Sequence, residues 1–173
     1  TRSSLVSVGS EMCIRDRSWI VDEPVVQNGP EFSPRHPLPG VTVGRNAVMI
    51  GDLSSLPIFL RDGTLLVPVI VTPTGPDGNY HNPGGGYTYS DGAALRGRWR
   101  ADGRIDWELS ARIAGDPTRS TRGMDEPTFA ELADGRILAV LRGSNGGKPA
   151  LPGRRWAAFS SDGGRTWTPP QPW

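Results

Sequence analysis

The residues with the clearest chemical potential are Glu126 and Arg142, which flank a predicted hairpin turn at Ala133-Asp134-Gly135. A glutamate can exchange a proton or activate a neighbouring nucleophile. An arginine presents a planar, permanently charged fork that binds a carboxylate through two hydrogen bonds. Arg119 and Arg122 precede the same hairpin and could add positive charge. The combination predicts a site for an anionic ligand. The alternative is a plain cross-strand ion pair with solvated loop charges nearby.

The spacing of this hairpin predicts where the charged pair lies. If Gly135 takes a left-handed conformation in a three-residue turn, Leu132 pairs with Arg136. Continuing that register along both strands places Glu126 directly opposite Arg142, at the open end of the hairpin and away from the Asp-Gly turn. We therefore expect both side chains to lie together at the end of the sheet opposite this turn.

A second motif lies near the end of the chain. The residues from Ser160 to Trp167 match the pattern Ser-x-Asp-x-Gly-x-Thr-Trp at every fixed position. The Asp162 carboxylate can accept backbone N–H bonds inside its own turn, Gly164 permits a positive φ, and Trp167 supplies a large apolar body between strands. The segment resembles the Asp box of sialidases and related BNR-repeat proteins. This box is a turn-forming element without chemistry of its own.

The hairpin that contains the charged pair carries a more informative resemblance. Residues 126–142 resemble the sialidase blade written E-P-x-x-x-E-L-x-D-G-x-L-L-x-x-x-R. The resemblance implies that Glu126 activates a tyrosine nucleophile and that Arg142 is one of three arginines that bind the sialic-acid carboxylate. The segment from Gly51 to Val69 looks like the preceding blade, so the resemblance covers about residues 45–173.

These resemblances imply a fragment of a sialidase-like exo-glycosidase that hydrolyses terminal sialic acid or a related anionic sugar. Glu126 would be the catalytic residue, and Arg142 and Arg122 would bind the substrate. The alternative is a non-catalytic BNR-repeat propeller that binds glycan or protein. Whether the chain comes from an enzyme stays open, because none of its three tyrosines lies in a segment that matches the family's nucleophile. The fragment alone is expected to be inactive. No metal or other cofactor is implied, and the family weakly favours a secreted or extracytoplasmic location.

The rest of the sequence is typical of an all-β protein with many turns. Of 173 residues, 23 are glycine, 17 are proline and 36% are hydrophobic. Short apolar runs alternate with Gly/Asp turns, and no stretch keeps a helical period. Two hairpins with Asp-Gly turns, at Asp62 and Asp134, repeat with about four strands per unit. We expect two to three blades of a six-bladed, sialidase-like β-propeller, with an ordinary β-sandwich as the alternative.

Charge, cysteine content and apolar runs exclude several classes of protein. The 19 Lys and Arg residues are balanced by 18 Asp and Glu residues, so nucleic acid is not an expected partner. The longest apolar run, from Leu65 to Val71, contains Pro68 and is far too short to span a membrane. A single cysteine cannot form an internal disulfide or a thiolate metal site. The expected partners are an anionic carbohydrate and further propeller blades of the same protein.

The beginning of the chain differs from the rest. Its segment from Val8 to Arg17, Val-Gly-Ser-Glu-Met-Cys-Ile-Arg-Asp-Arg, resembles a translated sequencing adapter of the kind found in metagenomic gene predictions. A genuine basic tail is the alternative. We expect residues 1–17 to be disordered and residues 18–173 to be an internal fragment of one propeller domain.

Overall fold

The computed structural model describes residues 23–51 and 55–173, and all regular structure in these ranges is β. The prediction of disorder for residues 1–17 lies outside the described residues. The strands are β1 (Val48–Met49), β2 (Ile58–Phe59), β3 (Leu65–Val71), β4 (Asp91–Trp99), β5 (Ile105–Leu109), β6 (Asp125–Glu131), β7 (Ile137–Gly143), β8 (Arg154–Ser160) and β9 (Gln171–Pro172). No helix in the described ranges is long and apolar enough to cross a membrane. The all-β prediction is confirmed, and the propeller arrangement stays a prediction.

The strands form two antiparallel sheets with one plan. In the first sheet the order is β1-β3-β4-β5, and β2 pairs with β3 as well. Because β1 pairs with one end of β3 and β2 with the other, these two short strands lie along the same edge. The second sheet has the order β6-β7-β8-β9. The second sheet thus has the four strands of the predicted unit. The first sheet has five, and its short strands β1 and β2 together occupy the place of one edge strand.

The turn of the second hairpin forms as its residues predict. The backbone N–H of Leu132 donates to the carbonyl of Arg136 at 2.8 Å. Gly135 has a φ of 84°, and the Asp134 carboxylate accepts the Arg136 N–H at 3.0 Å. Glycine takes this left-handed conformation without steric cost, which is why the Asp-Gly pair determines the turn.

The register of this hairpin changes at its open end. Thr128–Glu131 pair with β7 in the predicted register, but Asp125 and not Glu126 lies opposite Arg142. A β-bulge follows Asp125, and Glu126 has a positive φ of 49°. The prediction that Glu126 directly faces Arg142 is therefore wrong by one residue. The physical reason is Pro127, which has no N–H for the ladder and is typical of bulges and strand edges.

The Asp-box turn has the expected internal hydrogen bonds. The Asp162 carboxylate accepts the backbone N–H of Arg165 and of Thr166, at 2.9 Å each to Oδ1. Trp167 stacks on Phe129 with 5.1 Å between ring centroids and joins the core between the two sheets. The motif therefore fixes a turn and, through Trp167, also attaches that turn to β6 at the other edge of the same sheet.

Two apolar cores stabilise the sheets, because burying apolar side chains is the main driving force of folding. One core lies between the sheets and contains Leu60, Leu66, Ala94, Ile113, Met124, Phe129, Ile137, Ala139, Leu141, Trp156 and Ala158. The other lies on the outer face of the first sheet, where irregular residues from 23–47 contribute Leu38 and Val41. On the outer face of the second sheet, Leu138, Val140 and Phe159 are only half-buried. The first sheet is thus covered on both faces and the second mainly on one.

Candidate functional site

An open cleft of about 500 Å³ lies at the end of the sheets that is remote from the Asp-Gly turns. Its charged lining residues are Arg45, Arg122, Asp125 and Glu126. Arg142 does not line the cleft, but it contacts Glu126, which does. A concave site that gathers convergent charged groups is the usual setting for ligand binding. We therefore treat this cleft as the candidate ligand site.

Glu126 and Arg142 meet in spite of the altered register. Arg142 Nη2 lies 2.8 Å from Glu126 Oε1 and 3.8 Å from Asp125 Oδ2. Consecutive residues of a regular strand point to opposite faces, so the bulge is what allows two neighbouring carboxylates to contact one guanidinium group. The Arg142 side chain is 46% exposed. It is therefore held in position and still accessible to a ligand.

Asp125 is the buried carboxylate of the cleft, and sequence reasoning did not select it. Its side chain is only 3% exposed, and its Oδ2 lies 3.3 Å from Arg122 Nη2. Burial raises the pKa of the Asp125 carboxyl, while Arg122 and Arg142 oppose the rise. Arg122 Nη2 also donates to Thr88 Oγ1 at 2.9 Å. One buried carboxylate thus lies beside both predicted substrate-binding arginines.

The loop formed by residues 86–90 fixes the backbone of Arg122. These residues form no regular strand, and their backbone hydrogen bonds go to the Arg122 segment. Ser90 N–H donates to the Arg122 carbonyl at 3.1 Å, and Met124 N–H donates to the Ser90 carbonyl at 2.8 Å. Gly123 lies between them with a φ of 73°, and a Cβ atom there would stand 2.1 Å from the Ser90 carbonyl oxygen. Only glycine permits this approach.

Arg45 and Tyr80 also line the cleft and were not predicted as site residues. Arg45 Nη1 donates to Asn79 Oδ1 at 2.9 Å and to the Asp77 carbonyl at 3.3 Å. The Tyr80 hydroxyl accepts the backbone N–H of Tyr89 at 2.6 Å. Neither residue lies in a motif, and each reaches the cleft through contacts of the long loop between β3 and β4. The sequence carries no local signal for this arrangement.

Arg119 does not line the cleft. Its guanidinium group lies 4.6 Å from the centroid of the Trp156 ring, in a cation–π contact. Of the two arginines that precede the second hairpin, only Arg122 lines the cleft. The described residues contain no group of three or more His, Cys, Asp and Glu side chains that could hold a metal ion.

The fold and the cleft together define an all-β protein of two packed antiparallel sheets with a charged cleft at one end. Comparisons with protein-family models and with curated proteins find no match for the chain. The chemistry of the cleft therefore rests on its own residues: two carboxylates, Asp125 and Glu126, beside the arginines at positions 45, 122 and 142.

Proposed function

We propose that the cleft binds an anionic sugar through its carboxylate, and that the chain is part of a sialidase-like glycosidase with a β-propeller fold. The 2.8 Å contact of Arg142 with Glu126, a residue that lines the cleft, carries this proposal. The arginine suits bidentate recognition of a carboxylate. The glutamate suits activation of a neutral tyrosine nucleophile, which an anionic substrate repels less than it repels a carboxylate.

The architecture supports the propeller part of the proposal. Propeller blades are four-stranded antiparallel sheets arranged radially around an axis. Both sheets follow that strand plan, and they pack through a shared apolar core. The Asp-box turn joins β8 to β9 at the end of the second sheet opposite the cleft. The turn-forming motifs and the proposed ligand-binding groups therefore lie at different ends, which supports the proposed fold.

The arginines can act together on one carboxylate. Arg122 Nη2 and Arg142 Nη2 lie 3.3 and 3.8 Å from the same Asp125 oxygen. Nitrogens that share an acceptor at such distances are close enough for one ligand carboxylate to contact both. Arg142 provides the accessible arm, because nearly half of its side chain is exposed, and Arg122 provides the more rigid one through its contact with Thr88.

Binding of N-acetylneuraminic acid and of its methyl ester to the 173-residue chain tests the proposal by isothermal titration calorimetry. The acid should bind and the ester should bind much more weakly. Arg142→Lys keeps the charge but loses the fork, and should weaken acid binding by roughly 1–3 kcal/mol. Arg136→Lys is the matched control, because Arg136 is 51% exposed and pairs with Asp134 at 2.8 Å at the other end of the hairpin. Equal binding of acid and ester would contradict the proposal.

A non-catalytic propeller that binds glycan or protein is the alternative. Substitution of Glu126 distinguishes this alternative from the enzyme. In a longer protein that supplies the tyrosine and further arginines, Glu126→Gln should lower turnover of an aryl sialoside by about 10²–10⁴-fold. Sugar binding should change far less. A protein that binds the sugar but has no turnover before the substitution would support the binding class.

A further inference from the structure

Among the described residues that line the cleft or contact its lining, the arginines at positions 45, 122 and 142 outnumber the carboxylates of Asp125 and Glu126 by one, and Arg45 is the arginine without an ion pair to either carboxylate. Arg122 has a carboxylate partner in Asp125, and Arg142 has one in Glu126. A ligand anion at either position must share the arginine with a carboxylate of the protein. Arg45 lines the same cleft and adds a third positive charge. Its surroundings therefore decide where the cleft attracts an additional anion.

Neutral acceptors hold Arg45. Its Nη1 donates to Asn79 Oδ1 and to the backbone carbonyl of Asp77. The Asp77 carboxylate instead accepts the backbone N–H and the side-chain amide of Asn79, both at 3.0 Å. These bonds lower the pKa of Asp77, and Arg45 adds a smaller effect in the same direction. Within the described ranges, no carboxylate oxygen lies within 4.0 Å of the Arg45 guanidinium group.

The geometry of Arg45 suits an oxyanion. Both of its hydrogen bonds come from Nη1, so the described part of the chain provides no partner for its Nε or Nη2. These two groups form the edge of the guanidinium fork that binds carboxylate, sulfate or phosphate oxygens in pairs. The bonds to Asp77 and Asn79 hold the group in place, which reduces the entropy that binding would cost.

We propose that Arg45 is a second anion-binding position of the cleft and that it binds a sulfate or phosphate ester of the ligand. The inference rests on the proposed function, in which the ligand's carboxylate lies at Arg142 and Arg122. Arg45 is attached to the loop at Asp77 and Asn79, so the two anion positions are held by different segments. The favoured substrates are then acidic sugars that carry a further charged ester, and not simple monoacids.

Calorimetric titration of the 173-residue chain with N-acetylneuraminic acid and with its 9-phosphate tests this inference. The phosphate ester should bind the unmodified chain about tenfold more tightly at constant ionic strength. Arg45→Met should remove that tenfold gain and leave the affinity for the plain acid within twofold. Arg35→Met is the control, because it removes the same charge from the same segment. Arg35 is exposed and does not line the cleft.

Each of the other possible results would refute either the role of Arg45 or the proposed function. Equal affinity of the unmodified chain for both probes, or an equal loss from Arg35→Met, would refute a specific role for Arg45. A parallel loss for both probes in Arg45→Met would place the carboxylate itself at Arg45, which also refutes a second position. Arg142→Lys should weaken both probes equally. If it changes neither, the proposed function fails, whatever Arg45 does. Arg45→Lys, which keeps the charge, should retain part of the gain and serves if Arg45→Met is unstable.

Discussion

The two sheets share a strand plan but differ in what covers them. In the first sheet, Val67 and Val69 on the outer face are fully buried beneath residues from 23–47. In the second sheet, Leu138 and Val140 on the outer face are only half-buried. The first sheet is therefore stabilised by apolar burial on both faces. The second depends more on the core that the two sheets share and on the hydrogen bonds of its turns.

The turns between the third and fourth strands show the same difference. Residues 101–107 and 161–167 both carry an Asp-Gly pair that is followed, five residues after the aspartate, by tryptophan. Asp162 accepts hydrogen bonds from the backbone and side chain of residues 160–166. Asp102 accepts one backbone N–H, from Arg104 at 3.1 Å, and forms an exposed ion pair with Arg100 Nη2 at 3.0 Å. The less covered sheet thus has the more strongly bonded turn.

The largest effect on stability is expected in the core between the sheets. Leu141 is fully buried there, so Leu141→Ala should lower the free energy of unfolding by about 2–5 kcal/mol. Val140, its neighbour on β7, faces outward and is half-buried, so Val140→Ala should cost less than about 1 kcal/mol. Urea unfolding followed by tryptophan fluorescence measures both variants. Equal losses would mean that the outer face of the second sheet is covered in solution.

The Asp-box turn should give the next largest effect. Asp162→Ala removes a carboxylate with several donors and should cost about 1–3 kcal/mol, the range for hydrogen bonds to charged groups. Asp102→Ala at the corresponding turn of the first sheet should cost less than about 1 kcal/mol, because that carboxylate accepts a single backbone N–H and its ion pair with Arg100 is exposed and contributes little. Thermal unfolding followed by circular dichroism compares the two. A larger loss of stability in Asp102→Ala than in Asp162→Ala would contradict the proposal that the Asp162 turn is the more strongly bonded of the two.

The same carboxylate should make stability sensitive to acid. Burial raises the pKa of Asp162, but hydrogen bonds from Thr166, Ser160 and Arg165 outweigh it and lower the pKa to about 2, below the ordinary 3.8. A carboxyl whose pKa is lower in the folded state stabilises the fold above the unfolded pKa, and loses this effect as the pH falls toward the folded pKa. The difference in Tm between the unmodified chain and Asp162→Asn should therefore shrink between about pH 4 and pH 2. A difference that does not vary with pH would contradict this assignment.

Elements specified by neighbouring residues could be predicted from the sequence. The Asp-Gly turn at Asp134 and the positive φ of Gly164, which is 80°, follow from what those residues allow locally. The apolar runs that became β3, β7 and β8 were recognisable because strands alternate with turns that glycine and aspartate mark. Covering of the first sheet by residues from 23–47 has no local signal, since it depends on contacts between distant segments.

The candidate site was predictable in part for the same reason. The spacing of Glu126 and Arg142 across one hairpin predicted their approach, and they do make contact. The bulge that admits Asp125 to the same guanidinium group depends on how one proline disrupts a ladder, which register arithmetic ignores. Arg45 enters the cleft only because a loop far along the chain folds against it. Local spacing therefore predicted one pair, the resemblance added Arg122, and tertiary packing supplied Asp125 and Arg45.

A substitution of Leu138, on the outer face of the second sheet, should have a small effect on stability. It is also the most direct test of the difference between the sheets. An incompletely covered apolar sheet face favours association with other molecules, so the chain should form larger species in a concentration-dependent way on size-exclusion chromatography. Leu138→Lys should shift it toward the monomer and change the unfolding free energy by less than about 1 kcal/mol. Phe59→Lys is the control, because Phe59 is 65% exposed but lies at the edge of the fully covered first sheet. If Phe59→Lys reduces association and Leu138→Lys does not, the exposed edge of the first sheet, and not the outer face of the second, is the surface through which the chain associates.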